Sequence, residues 1–432
     1  MGRTTVPGHG DAARATMPAG TSVLHSLRAY PGFRILFGST LGTNSAFWMW
    51  NIAAGWLALD MTDSPFFVGL TGFLGGIPTL IFSIPGGVIL DRVDRRLVLL
   101  TAQGVVTAIA SVVALLLVLD RMLPWHLLVA TFLNGTAMSF VFPTRNALVA
   151  NLVPAHDLAN AVALNAAGQN ATRVVGPALA GPLIASLGVV GTFVACTVSQ
   201  VAAFIITLKL PSARPSPSAV RRTLWGSLIE GLSVIWRSEY LTGLMILAAV
   251  PTMLVMPYSN LLPVFAEHEL RIGATGLGLL MAVNGAGAVL ASLLVAGWRR
   301  LTELPGVQVW TAAGFATVVL AFSWTPSPLL ACCFTFLAGA LSAIYLAVNN
   351  TKIHLSVDDS VRGRVLGVYL LTWGLLPVGT LPAGAIANRY GAPVAMTVLT
   401  ILALALILLT ALRFRTLLRG EPPRVEVARQ RG

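Results

Sequence analysis

The sequence predicts an all-α membrane protein of about twelve transmembrane helices, arranged as two six-helix bundles with both termini on the cytoplasmic side. Three observations lead there. Hydrophobic residues make up 56% of the 432 and charged residues only 10%, where a soluble domain carries roughly 25% charged residues. Mean hydropathy is +0.80. Apolar runs of about twenty residues, enough to cross a ~30 Å hydrocarbon core, recur along the whole chain.

These runs lie near 33–59, 66–90, 97–119, 125–147, 158–185, 189–210, 240–265, 275–298, 306–323, 328–350, 362–387 and 393–413. Orientation follows from the 28 basic residues. Only Arg121, Arg271 and Arg389 fall in odd-numbered connections, and Arg173 falls within a span. The others lie in the termini, the even-numbered loops or the adjoining helix ends, which the positive-inside rule assigns to the cytoplasm.

Residues 1–30 lack the apolar core of a cleavable signal and read as a disordered cytoplasmic leader. The first bundle spans 31–210 and the second 239–413, followed by a basic cytoplasmic tail over 414–432. Between the bundles, 211–238 forms a linker that opens Pro211-Ser-Ala-Arg-Pro-Ser-Pro-Ser. Its stretch from Leu224 to Trp236 predicts an amphipathic interfacial helix anchored by Trp225 and Trp236.

Composition also excludes. The net charge of +12 and pI near 10.7 sit in loops and tails, without the aromatic-interleaved basic patch of a nucleic-acid binder. Cys196, Cys332 and Cys333 lie in apolar runs and form neither a disulfide framework nor a metal spacing. No phosphate-cradling G-x-x-x-x-G-K-[ST], no metal-ligand cluster and no Ser-His-Asp order occurs, so neither an enzyme nor a cofactor or metal is expected.

The halves carry a trace of duplication. An offset of 203 positions sets Gly176 on Gly379, Gly181 on Gly384, Gly188 on Gly391, Asn146 on Asn349 and Leu152 on Leu355.

Two motifs sharpen the class. Gly87-x-x-x-Asp91-Arg92-x-x-Arg95-Arg96 follows the second span and resembles the loop signature of the major facilitator superfamily. The resemblance implies a secondary transporter, with Asp91 latching the first half onto the start of the eleventh helix. Arg362 and Arg364 supply positive charge at that helix start, where a helix N-terminus itself favours an acid. The matching loop of the second half, Gly297-Trp298-Arg299-Arg300, has no acid.

The second motif runs Pro143-Thr-Arg145-Asn146, Leu152-Val153-Pro154, Asp157-Leu158-Ala159-Asn160 and Arg173-Val-Val-Gly176-Pro177-x-x-x-Gly181. In that order it resembles the transmembrane secretion effector branch, the enterobactin-exporter and macrolide-efflux-like group. Gly176-Pro177 and Gly181 resemble an antiporter motif; proline frees a carbonyl and glycine permits close helix contact.

Arg173 lies about 22 Å along the fifth helix at 1.5 Å per residue. A charge at that depth usually faces a cavity or a partner. Asn165, Gln169 and Arg173 share one helical face, as do Asn44, Trp48 and Asn51 on the first helix. These residues, with Asn349, are the candidate lining of a substrate cavity, while for each asparagine helix-to-helix hydrogen bonding stands as the other reading. No Asp or Glu falls near the middle of any span, so no proton site is evident.

The expected activity is export of an amphipathic small molecule, drug or siderophore-like, by a monomer in a bacterial inner membrane. An ion gradient, with the proton as coupling ion, would drive it. An importer or metabolite carrier of the same fold, and a transport-inactive sensor or scaffold, stay open.

Overall fold

The computed structural model describes residues 24–90, 93–213 and 224–419, and they are helical almost throughout. A short α1 (His25–Ala29) leads into α2 (Pro31–Thr62), α3 (Pro65–Leu90), α4 (Arg95–Val118), α5 (Pro124–Leu152) and α6 (Leu158–Leu208). The linker helix α7 (Leu224–Arg237) precedes α8 (Glu239–Leu254), α9 (Tyr258–Val264), α10 (Gly273–Gly297), α11 (Val307–Ser323), α12 (Pro328–Ser356), α13 (Asp359–Leu371), α14 (Leu375–Tyr390) and α15 (Ala392–Arg413). Nine stretches among the described residues are long and apolar enough to cross a membrane. Within lipid only a helix satisfies its own backbone, which is why apolar content and helicity coincide here.

Local signals set the boundaries. Proline opens α2, α5, α12 and α15, where its missing N–H costs nothing. Asp94 caps α4 by accepting the Arg96 amide at 2.8 Å, and Ser238 caps α8 through the Leu241 amide. The 51 residues of α6 are two arms meeting at Gly188, whose φ of 69° and ψ of −179° belong to a region only glycine occupies. Gly391, its partner in the 203-residue echo, takes φ 88° and ψ 155° between α14 and α15.

Two expected spans are interrupted. The stretch over 240–265 breaks between α8 and α9 around Pro257, and a π turn, Phe265–Glu269, follows. The stretch over 362–387 carries a 3-10 turn, Thr372–Gly374, between α13 and α14. Prolines remove backbone donors, and helices that line a cavity accommodate the resulting breaks.

The two halves meet along α6 with α10 and along α3 with α14. At both crossings glycine faces glycine: a Cβ on Gly181 would stand 2.7 Å from the Cα of Gly278, and one on Gly69 would stand 2.8 Å from the Cα of Gly384. Nearby, Ser64 donates to Asn388 at 2.8 Å and Asp63 pairs with His268 at 3.0 Å. These contacts gather at the end bearing the 62–65 and 270–273 turns and close it.

Gly181→Val, tested in a Cys332→Ser, Cys333→Ser, Ser259→Cys background, should loosen this closure. Overpacking costs about 1–3 kcal/mol, so the expected outcome is a lower melting temperature and faster labelling of the cavity cysteine by a membrane-impermeant maleimide supplied from the closed end. An unchanged labelling rate would mean that the crossing does not hold this end shut.

Candidate functional site

Between the halves lies a cavity of about 400 Å³, within the range of small-molecule sites. The first half supplies Asn44, Phe47, Trp48 and Asn51 from α2, Phe142 from α5, and Gln169, Asn170, Arg173 and Pro177 from α6. The second half supplies Met256, Tyr258, Ser259 and Asn260 from the broken seventh span, Asn284 from α10, and Trp373 from the turn in the eleventh. Both helix breaks therefore open onto the cavity.

The two polar faces read from the sequence converge here. The Arg173 guanidinium stands over the Trp48 ring, 5.7 Å from its centroid, bridging α6 and α2. Gly176 makes this possible, since a Cβ there would meet the Trp48 Cβ at 2.6 Å. Asn51 donates to the Phe47 carbonyl at 2.7 Å, and Asn284 donates to the Tyr258 hydroxyl and to the Thr335 carbonyl.

Two candidates lie elsewhere. Asn165 is buried and donates to Asn146 at 3.4 Å. Asn349 is fully buried and donates to the Leu244 carbonyl at 3.1 Å. Both tie helices together and neither lines the cavity, because the faces that carry them are covered by neighbouring helices.

Two buried cations escaped the sequence reading. Arg145, placed at a helix end by the expected 125–147 span, is 1% exposed on the longer α5; it donates to Asn44 Oδ1 at 3.3 Å and to the Ser39 carbonyl at 3.4 Å. Its place on the face of Asn134, Met138 and Val141 was the available signal. Lys352, expected in a loop, is 1% exposed on α12 and donates to Gln308, whose amide donates to the Leu417 carbonyl.

At the opposite end of the molecule, Asp91 and Arg92 lie outside the described residues, as does the Trp225 side chain, while Gly87 sits in the last turn of α3. The remaining latch candidates bind within their own surroundings. Arg95 reaches Asn151 and the Ala147 carbonyl of α5, and Arg96 reaches the Leu208 carbonyl of α6. Asp94 accepts from Ser212 and the Ala213 amide; burial alone would raise its carboxyl, but these hydrogen bonds and the Arg96 amide hold it below the ordinary value. Arg364 pairs with Glu230 of α7, and Arg362 donates to the Val357 carbonyl at 3.2 Å. Charges grouped as one latch in the sequence thus hold the first half's loop to α5 and α6, and the linker helix to α13.

The Asp157 motif has its own task. Its carboxylate accepts from the Tyr30 hydroxyl at 2.7 Å and pairs with His25 at 3.1 Å, while Asn160 accepts the Ser26 amide and hydroxyl. Together they fasten α1 to the start of α6.

The sequence profile of the transmembrane secretion effector family matches residues 21–423. The chain belongs to that family, within the major facilitator superfamily. It is an integral, multi-pass membrane transporter. Among curated relatives of this family member, the staphyloferrin A transporter of Staphylococcus aureus is 23% identical over 80% of this chain and 86% of its own. The enterobactin exporter of Shigella flexneri is 26% identical over 93% and 97%. The multidrug efflux pump Tap of Mycolicibacterium fortuitum is 28% identical over 79% and 85%. Among solved structures, a bacterial homologue of the human lysosomal transporter Spinster, inward-facing and unoccupied, matches with TM-score 0.69 and 16% identity, covering 90% of this chain and 98% of that one. A D-xylose-proton symporter matches at TM-score 0.68 and 12% identity, over 88% and 97%. At such identities these structures bear on the fold alone.

The Tyr30 hydrogen bond is the first cause lowering the Asp157 carboxyl below its ordinary value. A lowered folded-state value gives stability that is present above the unfolded carboxylate pKa of about 3.9 and lost as pH falls through the folded value. Asp157→Asn should therefore lower the melting temperature at pH 7, and the gap to wild type should close on acidification below about pH 4. A gap independent of pH would mean that the carboxylate charge plays no part.

Proposed function

We propose that this family member is a secondary active exporter of amphipathic small molecules, working as a monomer by alternating access in a bacterial inner membrane. The observation that carries this reading is the central cavity, lined from both halves and shut at one end by glycine crossings that rigid-body rocking would separate. Twelve crossings follow if the nine long apolar stretches are joined by the second arm of α6, by the 32-residue α2 and by the 17-residue α11. The two bundles, 31–210 and 239–413, would then be the rocking bodies, with 211–238 as the linker.

The basic loops support cytoplasmic termini. On that orientation the closed end faces outward and the cavity faces the cytoplasm, the side from which an exporter loads. Relatives named as an enterobactin exporter and a multidrug efflux pump favour the outward direction. An ion gradient, the proton first, is the proposed driving force, with Asp91 closing the cytoplasmic side against the start of α13 in the opposite state.

Energised inverted vesicles carrying the chain should accumulate at least one compound from a panel of drugs and siderophores. A deletion strain should be hypersusceptible to the same compound and be rescued by wild type but not by Arg173→Ala. Exclusion from the vesicles would reverse the direction to import. No effect of the deletion across a broad panel would favour a transport-inactive scaffold, which the lack of an intramembrane carboxylate supports.

A further inference from the structure

Arg173 differs from Arg145 and Lys352, the two nearly fully buried cations among the described residues. Arg145 and Lys352 are each about 1% exposed and donate to neutral oxygens of the protein. Arg173 is half-buried on the cavity wall, and among the described residues it donates no hydrogen bond. None of the described residues lining the cavity is acidic. The N–H donors of Arg173 therefore face a partly enclosed space with no acceptor among the described residues, open to an anionic ligand in place of water.

The surroundings specify that ligand further. One turn before Arg173 on the same face, Gln169 also lines the cavity, and its side-chain amide has no hydrogen-bond partner among the described residues. Beside Arg173, rings from α2 and α5 form an edge-to-face set: Phe47 lies 5.4 Å from Trp48 at 77°, and 5.3 Å from Phe142 at 90°. Such a set accepts another ring by offset or edge contact. A guanidinium donates two parallel hydrogen bonds to a pair of oxyanion oxygens, while an ammonium group would be repelled.

We infer that the Arg173 wall of the cavity is a subsite for an aromatic oxyanion, a ring bearing one carboxylate or sulfonate group close to it. The oxyanion sits on Arg173 with Gln169 beside it, and the ring packs against Trp48, Phe47 and Phe142. The cargo, not the chain, supplies the counter-charge. This rests on the transporter reading of the same cavity and narrows its cargo from amphipathic molecules in general to anionic aromatic ones.

Three probes that share one quenching ring and differ in charge test it: 4-nitrobenzoate, 4-nitrobenzamide and 4-nitrobenzylammonium. The readout is quenching of tryptophan fluorescence of the full chain in lipid nanodiscs. The chain has ten tryptophans, so Trp48→Phe identifies the part of the signal that comes from the Arg173 wall, and Trp373→Phe the part from the other tryptophan lining the cavity. The carboxylate should bind about tenfold more tightly than the amide and the ammonium, as expected for a charge-assisted bidentate contact. Arg173→Gln should shrink that preference to within about threefold, and Arg173→Lys should restore part of it.

The charge series on the wild type needs no variant, so it stands even where Arg173→Gln fails to fold. Equal or tighter binding of the amide or the ammonium in the cavity would overturn the oxyanion subsite and leave the transporter reading standing. A carboxylate preference that survives in folded Arg173→Gln would also overturn the subsite. Absence of Trp48-dependent quenching by every probe would overturn the subsite, and absence of Trp373-dependent quenching as well would overturn the reading of this cavity as a small-molecule site.

Discussion

Two close backbone crossings carry the architecture. In lipid, apolar side chains gain little by leaving one hydrocarbon for another, so helices associate through close packing of small residues. Where Gly181 meets Gly278 and Gly69 meets Gly384, a Cβ would fall under 3 Å from the facing Cα. The α6–α10 contact then continues two turns along, where a Cβ on Gly285 would stand 2.9 Å from the Arg173 carbonyl. The backbone of Arg173 is thus fixed at the interface between the halves while its side chain faces the cavity. The cavity's closed end and the position of Arg173, the one basic residue among the described lining residues, follow from how near these helices approach.

Much of this was legible, because glycine spacing is a property of sequence. The 203-residue echo paired Gly181 with Gly384, and each proves to be one side of a crossing. It paired Gly188 with Gly391, and both occupy backbone that only glycine adopts, at the sharp turn between consecutive helices. Gly176 and Gly379 likewise stand where a side chain would collide, with Trp48 and with the Met253 carbonyl respectively. The echoed asparagines diverge: Asn146 accepts from Asn165, while Asn349 donates to a backbone carbonyl of α8.

The rest depended on which helix covers which face, and a single sequence does not state that. Asn51 and Asn349 are both amides in apolar runs, yet one faces the cavity and the other is sealed between α8 and α12. Arg145 looked like a loop-end charge because α5 runs five residues beyond its apolar stretch, to Leu152. The break at Pro257 was hidden because the residues around it stay apolar, so hydropathy continues while hydrogen bonding does not. The contacts of the described charges after α3 were hidden for a related reason. Charges adjacent in sequence project to different neighbours, and Asp94, Arg95 and Arg96 each found theirs on α5, on α6 or just beyond it.

The treatment of charge inside the helices has one further consequence. A buried cation can be satisfied by a carboxylate, which cancels its charge, or by neutral oxygens, which satisfy its donors and leave the charge in place. Arg145 and Lys352 take the second course, with amide and carbonyl oxygens as acceptors. No acid lies near the middle of any span, so the helical core keeps a net positive charge that the chain does not compensate. Around a water-filled cavity, solvent and mobile anions screen that charge. Closure at both ends would remove the screening and leave a carrier with an empty cavity holding an exposed guanidinium. An anion bound at Arg173, as proposed, would remove that cost, so a loaded carrier would pass through a closed state more readily than an empty one. A preference of this kind would tie reorientation to occupancy without an intramembrane carboxylate.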